Sequence, residues 1–178
     1  MRHSQQLWHW TGVLLGTLIV LVGCTYDAAI QRLSLDEQAE LYTYRQVMTP
    51  SQVRTYLAKG TAAERTAYLS QVGLAQRFQA LDPVDRGTVL SGMPRTGMSA
   101  EALLFIWGEP DYADGDARRY AHWHYLGSSF NRGTYGYHNP GLGFGSRVDV
   151  YLVDGHVVGW VDYPPTGNDG SHDDGIRR

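Results

Sequence analysis

Residues 147–163 read RVDVYLVDGHVVGWVDY, and this stretch decides the fold because it contains a complete β-hairpin. Asp154 and Gly155 form a two-residue turn that strongly predicts a hairpin, and the residues on both sides of it are rich in valine. Such a turn determines which residues lie opposite one another in the two strands. The predicted pairs on one face are Leu152 with Val157, Val150 with Gly159, and Val148 with Val161. This face is wholly apolar, so we expect it to pack against helices.

The opposite face of the hairpin is mixed in character and half aromatic. Its predicted pairs are Tyr151 with Val158, Asp149 with Trp160, and Val153 with His156. Exposed aromatic side chains often mark a surface that binds a partner. The predicted partner-binding surface consists of Tyr151, Val158 and Trp160 together with the loop residues Tyr135, Tyr137 and Phe144. The alternative is that the glycine-rich loop 127–146 or the helices of residues 34–81 fold over this face and bury it.

Residues 34–107 are predicted to form short helices, each with its own start signal of a capping residue or an early proline. These signals are Ser34-Leu-Asp-Glu37, Thr49-Pro50-Ser-Gln52, Thr61-Ala-Ala-Glu64, Asp82-Pro83 and Ser99-Ala-Glu101. Beyond Pro110 the period changes, and residues 119–126 alternate as expected of a strand. The predicted fold is therefore α+β: short helices followed by a three-stranded antiparallel β-meander that packs on the helices with one face.

The amino terminus has the features of a bacterial lipoprotein signal. Residues 11–22 form an apolar run that is too short to span a membrane but long enough for the core of a signal peptide. Gly23 and Cys24 follow, and they resemble the lipobox, in which the cysteine is acylated and the chain is cut before it. Cys24 is the only cysteine of the chain, so its lipidation would leave no thiol for disulfides, metals or catalysis. By resemblance to Gram-negative lipoproteins, Thr25 implies anchoring in the outer membrane, facing the periplasm.

A second resemblance covers residues 83–163. Gly97-Met98-Ser99, a short helix and then Trp107-Gly108-Glu109-Pro110 are similar to the Gly-Met-Ser/Thr and Leu-Gly-x-Pro signature of the BamE/SmpA/OmlA family of outer-membrane lipoproteins. Trp123-His124-Tyr125 and the hairpin around Asp154-Gly155 resemble the first strand and the last hairpin of that family. The resemblance implies two helices packed on a three-stranded meander and an accessory role in β-barrel assembly. The chain departs from the family at Trp107, in its long loop and in its additional helices.

These features divide the chain into four parts. Residues 1–23 are predicted to be a signal peptide, and residues 24–81 a helical amino-terminal extension. Residues 82–163 are predicted to form a domain that resembles the BamE/SmpA/OmlA family. Residues 164–178 are predicted to be a disordered tail, because they are rich in Gly, Asn, Asp and Ser.

The sequence nominates no catalytic residue, metal site or cofactor. His122 and His124 lie on one face of a strand and could chelate zinc, but no acidic residue is obviously placed to complete the set, and His156 is two strands away. Asp114 and Asp116 are expected in a solvated turn. Gly141 to Gly145 is glycine-rich like a phosphate loop, but this segment leads into a strand rather than a helix. No catalytic motif of a hydrolase or metalloprotease is present, so we expect a non-enzymatic protein.

Charge and anchoring together define the expected partners. The chain has 15 basic and 18 acidic residues, and removal of residues 1–23 would take away Arg2 as the one charged residue. The remaining 14 basic against 18 acidic residues, a net charge of −4, give no basic surface for nucleic acid. We expect a membrane-anchored accessory or scaffold protein whose partner is an envelope protein. The β-barrel assembly machinery is one candidate for that partner. The alternatives are a lipid-anchored binding or inhibitory module and a metal-dependent enzyme that uses the outer-face histidines.

Overall fold

The computed structural model describes residues 28–116, 119–126, 147–163 and 176–177. Residues 28–31 are helical. They are followed by helices α1 (Leu35–Tyr44), α2 (Pro50–Leu57), α3 (Ala62–Gln71), α4 (Leu74–Ala80), α5 (Pro83–Ser91) and α6 (Ala100–Trp107), with a 3-10 turn (Arg45–Val47) after α1. The strands are β1 (Tyr112–Asp116), β2 (Tyr120–Leu126), β3 (Arg147–Val153), β4 (His156–Tyr163) and β5 (Ile176–Arg177). The fold is α+β, as the sequence predicts.

The helices begin where their capping signals predict. The side chains of Ser34, Thr49 and Thr61 each accept a hydrogen bond from the backbone amide three residues later. In all three cases the Glu or Gln at that later position bonds back to the amide of the capping residue. Because these reciprocal bonds satisfy amides that a helix otherwise leaves free, local sequence alone fixes the helix starts.

The sheet is larger than the predicted three-stranded meander. Its strands follow the order β1-β2-β3-β4-β5 and all pairs are antiparallel, so that β2, β3 and β4 form the expected meander. β1 adds a strand beside β2, and the prediction of a turn at Asp114 and Asp116 is wrong. All five residues of β1 are exposed, which explains why the segment lacks the alternation that marks a strand in a sequence. Of the tail predicted to be disordered, only Ile176–Arg177 is described, and it pairs with β4.

A β-bulge changes the predicted register of the hairpin. Leu152 lies opposite Val157 as expected, but Tyr151 lies opposite Gly159, so that Val158 is an extra residue in β4. From Gly159 onward, each residue of β4 is shifted by one position relative to its predicted partner in β3. Residues predicted on one face of β4 therefore lie on the other. The predicted pairs of Val150 with Gly159, Val148 with Val161, Tyr151 with Val158 and Asp149 with Trp160 are therefore wrong. The observed partners are Trp160 for Val150, Asp162 for Val148 and Val161 for Asp149.

The bulge brings Trp160 to the helical side of the sheet. The indole lies 6.4 Å, centroid to centroid, from that of Trp107 at the end of α6. Trp107 also makes an edge contact with Tyr125 of β2, at 5.4 Å between ring centroids. Burial of so large an apolar ring favours the bulged register over one that would leave Trp160 on the outer face.

The hydrophobic core lies between the helices and one face of the sheet. The sheet contributes Ala121, Trp123, Tyr125, Val148, Val150 and Leu152, all of them buried. Leu41 and Tyr44 of α1 and Phe78 of α4 belong to the same core cluster as Phe105 of α6. The helical segment predicted as an extension is thus packed into one core with the predicted ααβββ domain.

Hydrogen bonds join both ends of α6 to the sheet. At its start, the amide of Gly97 donates to the carbonyl of Val157 (2.7 Å), and the amide of Val157 donates to that of Met98 (2.9 Å). At its end, the carbonyl of Gly108 accepts a hydrogen bond from the hydroxyl of Tyr125 (3.2 Å). Gly108 has a φ of +79°, and a β-carbon there would lie 3.2 Å from the carbonyl oxygen of Gln46. Glycine is required at this position for both reasons.

We predict that Gly108→Ala lowers the free energy of unfolding by about 1–3 kcal/mol, because the left-handed backbone and the contact with Gln46 both oppose a β-carbon. Gly87→Ala is the matched control, since Gly87 lies inside α5 with open space around its α-carbon. That change should stabilise the protein by about 0.5–1 kcal/mol. Urea denaturation followed by circular dichroism measures both, and equal effects of the two substitutions would contradict this account of Gly108.

Candidate functional site

The outer face of the sheet carries a group of four ionisable residues, which we call the His–Asp cluster: Asp114, His122, His124 and Asp149. Asp114 of β1 lies opposite His122 of β2, and His124 of β2 lies opposite Asp149 of β3. Strand alternation places both histidines on the side away from Trp123 and Tyr125, which are buried in the core. The prediction that the two histidines share the outer face is confirmed.

His124 is held between two carboxylates. Its Nδ1 lies 2.8 Å from Oδ1 of Asp149, and its Nε2 lies 3.2 Å from Oδ2 of Asp114. The ring also stacks on Tyr112, with 4.1 Å between centroids and 14° between planes. Ionised carboxylates only accept hydrogen bonds, so both contacts are favourable when a proton or a cation lies at each ring nitrogen.

Asp149 is buried although it lies on the face opposite the core. Its side chain is only 3% exposed, and its Oδ2 lies 3.1 Å from Nη2 of Arg147 and 3.6 Å from Nε2 of His122. The guanidinium of Arg147 lies in turn over the ring of Tyr163, 4.3 Å from its centroid. A buried carboxylate is tolerated when it is paired and hydrogen-bonded, and here Arg147 and His124 supply that pairing.

His122 is the least satisfied member of the cluster. Its ring stacks on Tyr151, with 4.4 Å between centroids, and lies 4.0 Å from the ring of His124. Its Nε2 is buried and makes no hydrogen bond in the described part of the structure. Burial lowers the pKa of His122, and the neighbouring His124 lowers it further. A neutral imidazole presents a free lone pair on one ring nitrogen.

Three members of the cluster lie close enough together to hold a metal ion. One donor atom each from Asp114, His122 and His124 lies within 4.8 Å of the others. Sequence analysis missed this because it placed Asp114 in a solvated turn, whereas β1 brings this residue next to β2. Asp114 pairs with His122 across β1 and β2. The sequence of residues 112–116 does not predict this pairing, because the segment is exposed and contains a glycine. His156, the third histidine considered, lies apart from the cluster and contacts the carbonyl oxygen of Asp154 through Nδ1 (2.8 Å).

The residues predicted to bind a partner are distributed over different surroundings. Tyr151 lies on the outer face, stacked on His122. Val158 is the bulge residue and is 46% exposed. Trp160 packs toward the helices, so the expectation that it lies on the outer face is wrong. Tyr135, Tyr137, Phe144, the Gly141–Gly145 segment and Cys24 lie outside the described residues.

A groove of about 820 Å³ lies between α1 and α5, on the helical side of the molecule. Ile30, Leu35, Val89 and Leu90 give it an apolar wall, and Gln38 adds a neutral amide. The groove combines apolar walls with few converging ionisable groups. The His–Asp cluster is therefore the stronger candidate for specific chemistry.

The chain matches no known protein family, no curated protein and no solved structure at a significant level. The resemblance to the BamE/SmpA/OmlA family therefore rests on the sequence motifs themselves. None of the helices within the described ranges is both long enough and apolar enough to cross a membrane.

We predict that Asp149→Ala destabilises the protein by about 1–3 kcal/mol, because it removes the acceptor that the buried ring of His124 shares with the partly exposed guanidinium of Arg147. Asp114→Ala is the matched control, since this side chain is 73% exposed and its contact with His124 should contribute about 0–1 kcal/mol. Urea denaturation of both variants measures the difference. Similar losses in the two variants would show that burial of Asp149 does not govern the stability of this face.

Proposed function

We propose that the chain is an outer-membrane lipoprotein, anchored through Cys24 and facing the periplasm, that acts as a non-enzymatic accessory or scaffold protein in envelope assembly. The observation that carries the proposal is the two-sided sheet. One face is filled by the helices, while the contacts described for the other face join strand residues to one another. That face is the proposed binding surface.

The anchor part of the proposal is supported by the sequence. The apolar run 11–22 and Gly23-Cys24 fit a lipoprotein signal. The motifs shared with the BamE/SmpA/OmlA family support outer-membrane protein assembly as the process in which the protein takes part.

The chemistry of the outer face also favours the alternative, a lipid-anchored binding or inhibitory module. The face presents carboxylates, imidazoles and tyrosines in fixed positions, and it is more polar than the half-aromatic surface that the sequence predicted. Such a surface suits a polar or charged partner better than an apolar one. The contacts described for the cluster include no serine, threonine or cysteine that would act as a nucleophile.

We predict that Cys24→Ser abolishes lipidation and releases the protein from the outer membrane. Acyl chains contribute about 0.8 kcal/mol per buried methylene, so their loss should move the protein from the membrane fraction to the periplasmic or precursor fraction. Labelling with radioactive palmitate and density fractionation of the envelope measure both effects. Ser4→Ala, in the segment before the apolar run, is a control that should change neither. Palmitate incorporation into the Cys24→Ser variant would exclude Cys24 as the anchor.

The partner surface is tested by photo-crosslinking in living cells. A photoreactive amino acid at Tyr112, on the outer face and 45% exposed, should form adducts with an envelope protein. The matched control carries the photoreactive amino acid at Gln71, which is exposed at the end of α3, and it should form few adducts. Adducts with the β-barrel assembly core would support the assembly role, and adducts with another periplasmic protein would favour the binding module. Adducts from Gln71 alone, or from neither position, would overturn the proposed surface.

A further inference from the structure

We propose that the His–Asp cluster binds one divalent transition-metal ion of the zinc class, with Asp114, His122 and His124 as ligands and Asp149 as a positioning residue. The proposal rests on the geometry of the cluster and not on the proposed function. It concerns residues from three adjacent strands that the register brings into two neighbouring rows.

The donor atoms are already gathered at nearly the spacing that an ion requires. Zinc lies about 2.0–2.2 Å from nitrogen and oxygen ligands, so donors around a tetrahedral ion are roughly 3.3–3.5 Å apart. The three donors of the cluster lie within 4.8 Å of one another, and one pair, His124 Nε2 and Asp114 Oδ2, is at 3.2 Å. Because the Asp114 side chain is 73% exposed, it can rotate to adjust its distance from His122 without disturbing the core.

Asp149 stands where a metal-bound histidine needs support. Histidine ligands usually donate the hydrogen of their second ring nitrogen to a carboxylate, which fixes the tautomer and the orientation of the ring. Nδ1 of His124 lies 2.8 Å from Asp149 Oδ1, so the same carboxylate would direct the Nε2 lone pair toward Asp114. With Nδ1 as the donor, Nε2 and the Asp114 oxygen are two acceptors facing each other, an arrangement that a cation between them stabilises.

His122 supplies the second, independent observation. Its Nε2 is buried and has no hydrogen-bond partner among the described residues, which is costly for a polar atom unless something else satisfies it. Stacking on Tyr151 holds the ring beside His124. An ion that takes both imidazoles would satisfy this atom.

The donor set selects the kind of ion. Imidazole nitrogens suit zinc and its neighbours in the transition series, whereas calcium and magnesium prefer oxygen ligands alone. Arg147 lies 3.1 Å from Asp149 and balances that carboxylate, so Asp114 supplies the negative charge to the ion. Three protein ligands leave a fourth position for water or for a group of a partner.

The test uses the full chain in detergent, purified through a tag without histidine and stripped of metal with a chelator. Zinc affinity and stoichiometry are measured by competition with a chromophoric chelator, and cobalt is added separately because its visible absorption reports tetrahedral coordination. The proposal predicts one zinc per chain and a tetrahedral cobalt spectrum. Asp114→Asn and His122→Ala should each weaken zinc binding about tenfold or more, while magnesium and calcium should not compete.

His156→Ala is the matched control, because His156 lies on the same hairpin but outside the cluster, and it should bind zinc as the unchanged chain does. Circular dichroism checks the fold of each variant. If His122→Ala unfolds, Asp114→Asn still tests the proposal, because the Asp114 side chain is exposed and its substitution should leave the fold intact. Zinc binding that survives Asp114→Asn, or that is lost equally in His156→Ala, would overturn the proposal, as would the absence of binding by the unchanged chain. Since the assay contains no partner and no membrane fraction, its failure would leave the proposed function standing.

Discussion

The buried carboxylate of Asp149 is the interaction on which the outer face of the sheet depends. A carboxylate that is 3% exposed must be paired, and its two oxygens are occupied by His124 on one side and by Arg147 on the other. These contacts fix the ring of His124, which in turn orients the exposed Asp114 of β1. One buried charge in the middle of the sheet thereby organises polar residues on both neighbouring strands.

The bulge at Val158 makes this separation of faces possible. Without it, Trp160 would lie opposite Asp149, and a large apolar ring would stand beside the polar cluster. With it, Trp160 lies opposite Val150 and reaches Trp107, and Val161 lies opposite Asp149. A single extra residue thus moves the large ring of Trp160 to the helical side and away from the polar cluster on the other side.

The sequence was informative wherever structure is determined by near neighbours. Capping at Ser34, Thr49 and Thr61 and the Asp154-Gly155 turn depend on contacts within a few residues, and all four were predicted. The bulge and β1 depend on distant partners: Trp160 is drawn inward by a helix, and segment 112–116 becomes a strand because β2 pairs with it. The sequence therefore predicted that His122 and His124 share one face. It did not predict that Asp114 and Asp149 lie beside them, because that depends on the pairing of β2 with β1 and β3.

An exposed edge strand of the sheet, β1, carries one ligand of the proposed metal site. β1 has five exposed residues and includes Gly115, whose φ is +85°, so little apolar burial holds it against β2. An ion shared by Asp114 and the two histidines would join β1 to the centre of the sheet. Since a ligand that binds the folded state preferentially stabilises that state, the ion would stabilise the pairing of β1 with β2. Metal binding would then be coupled to the order of this edge of the sheet.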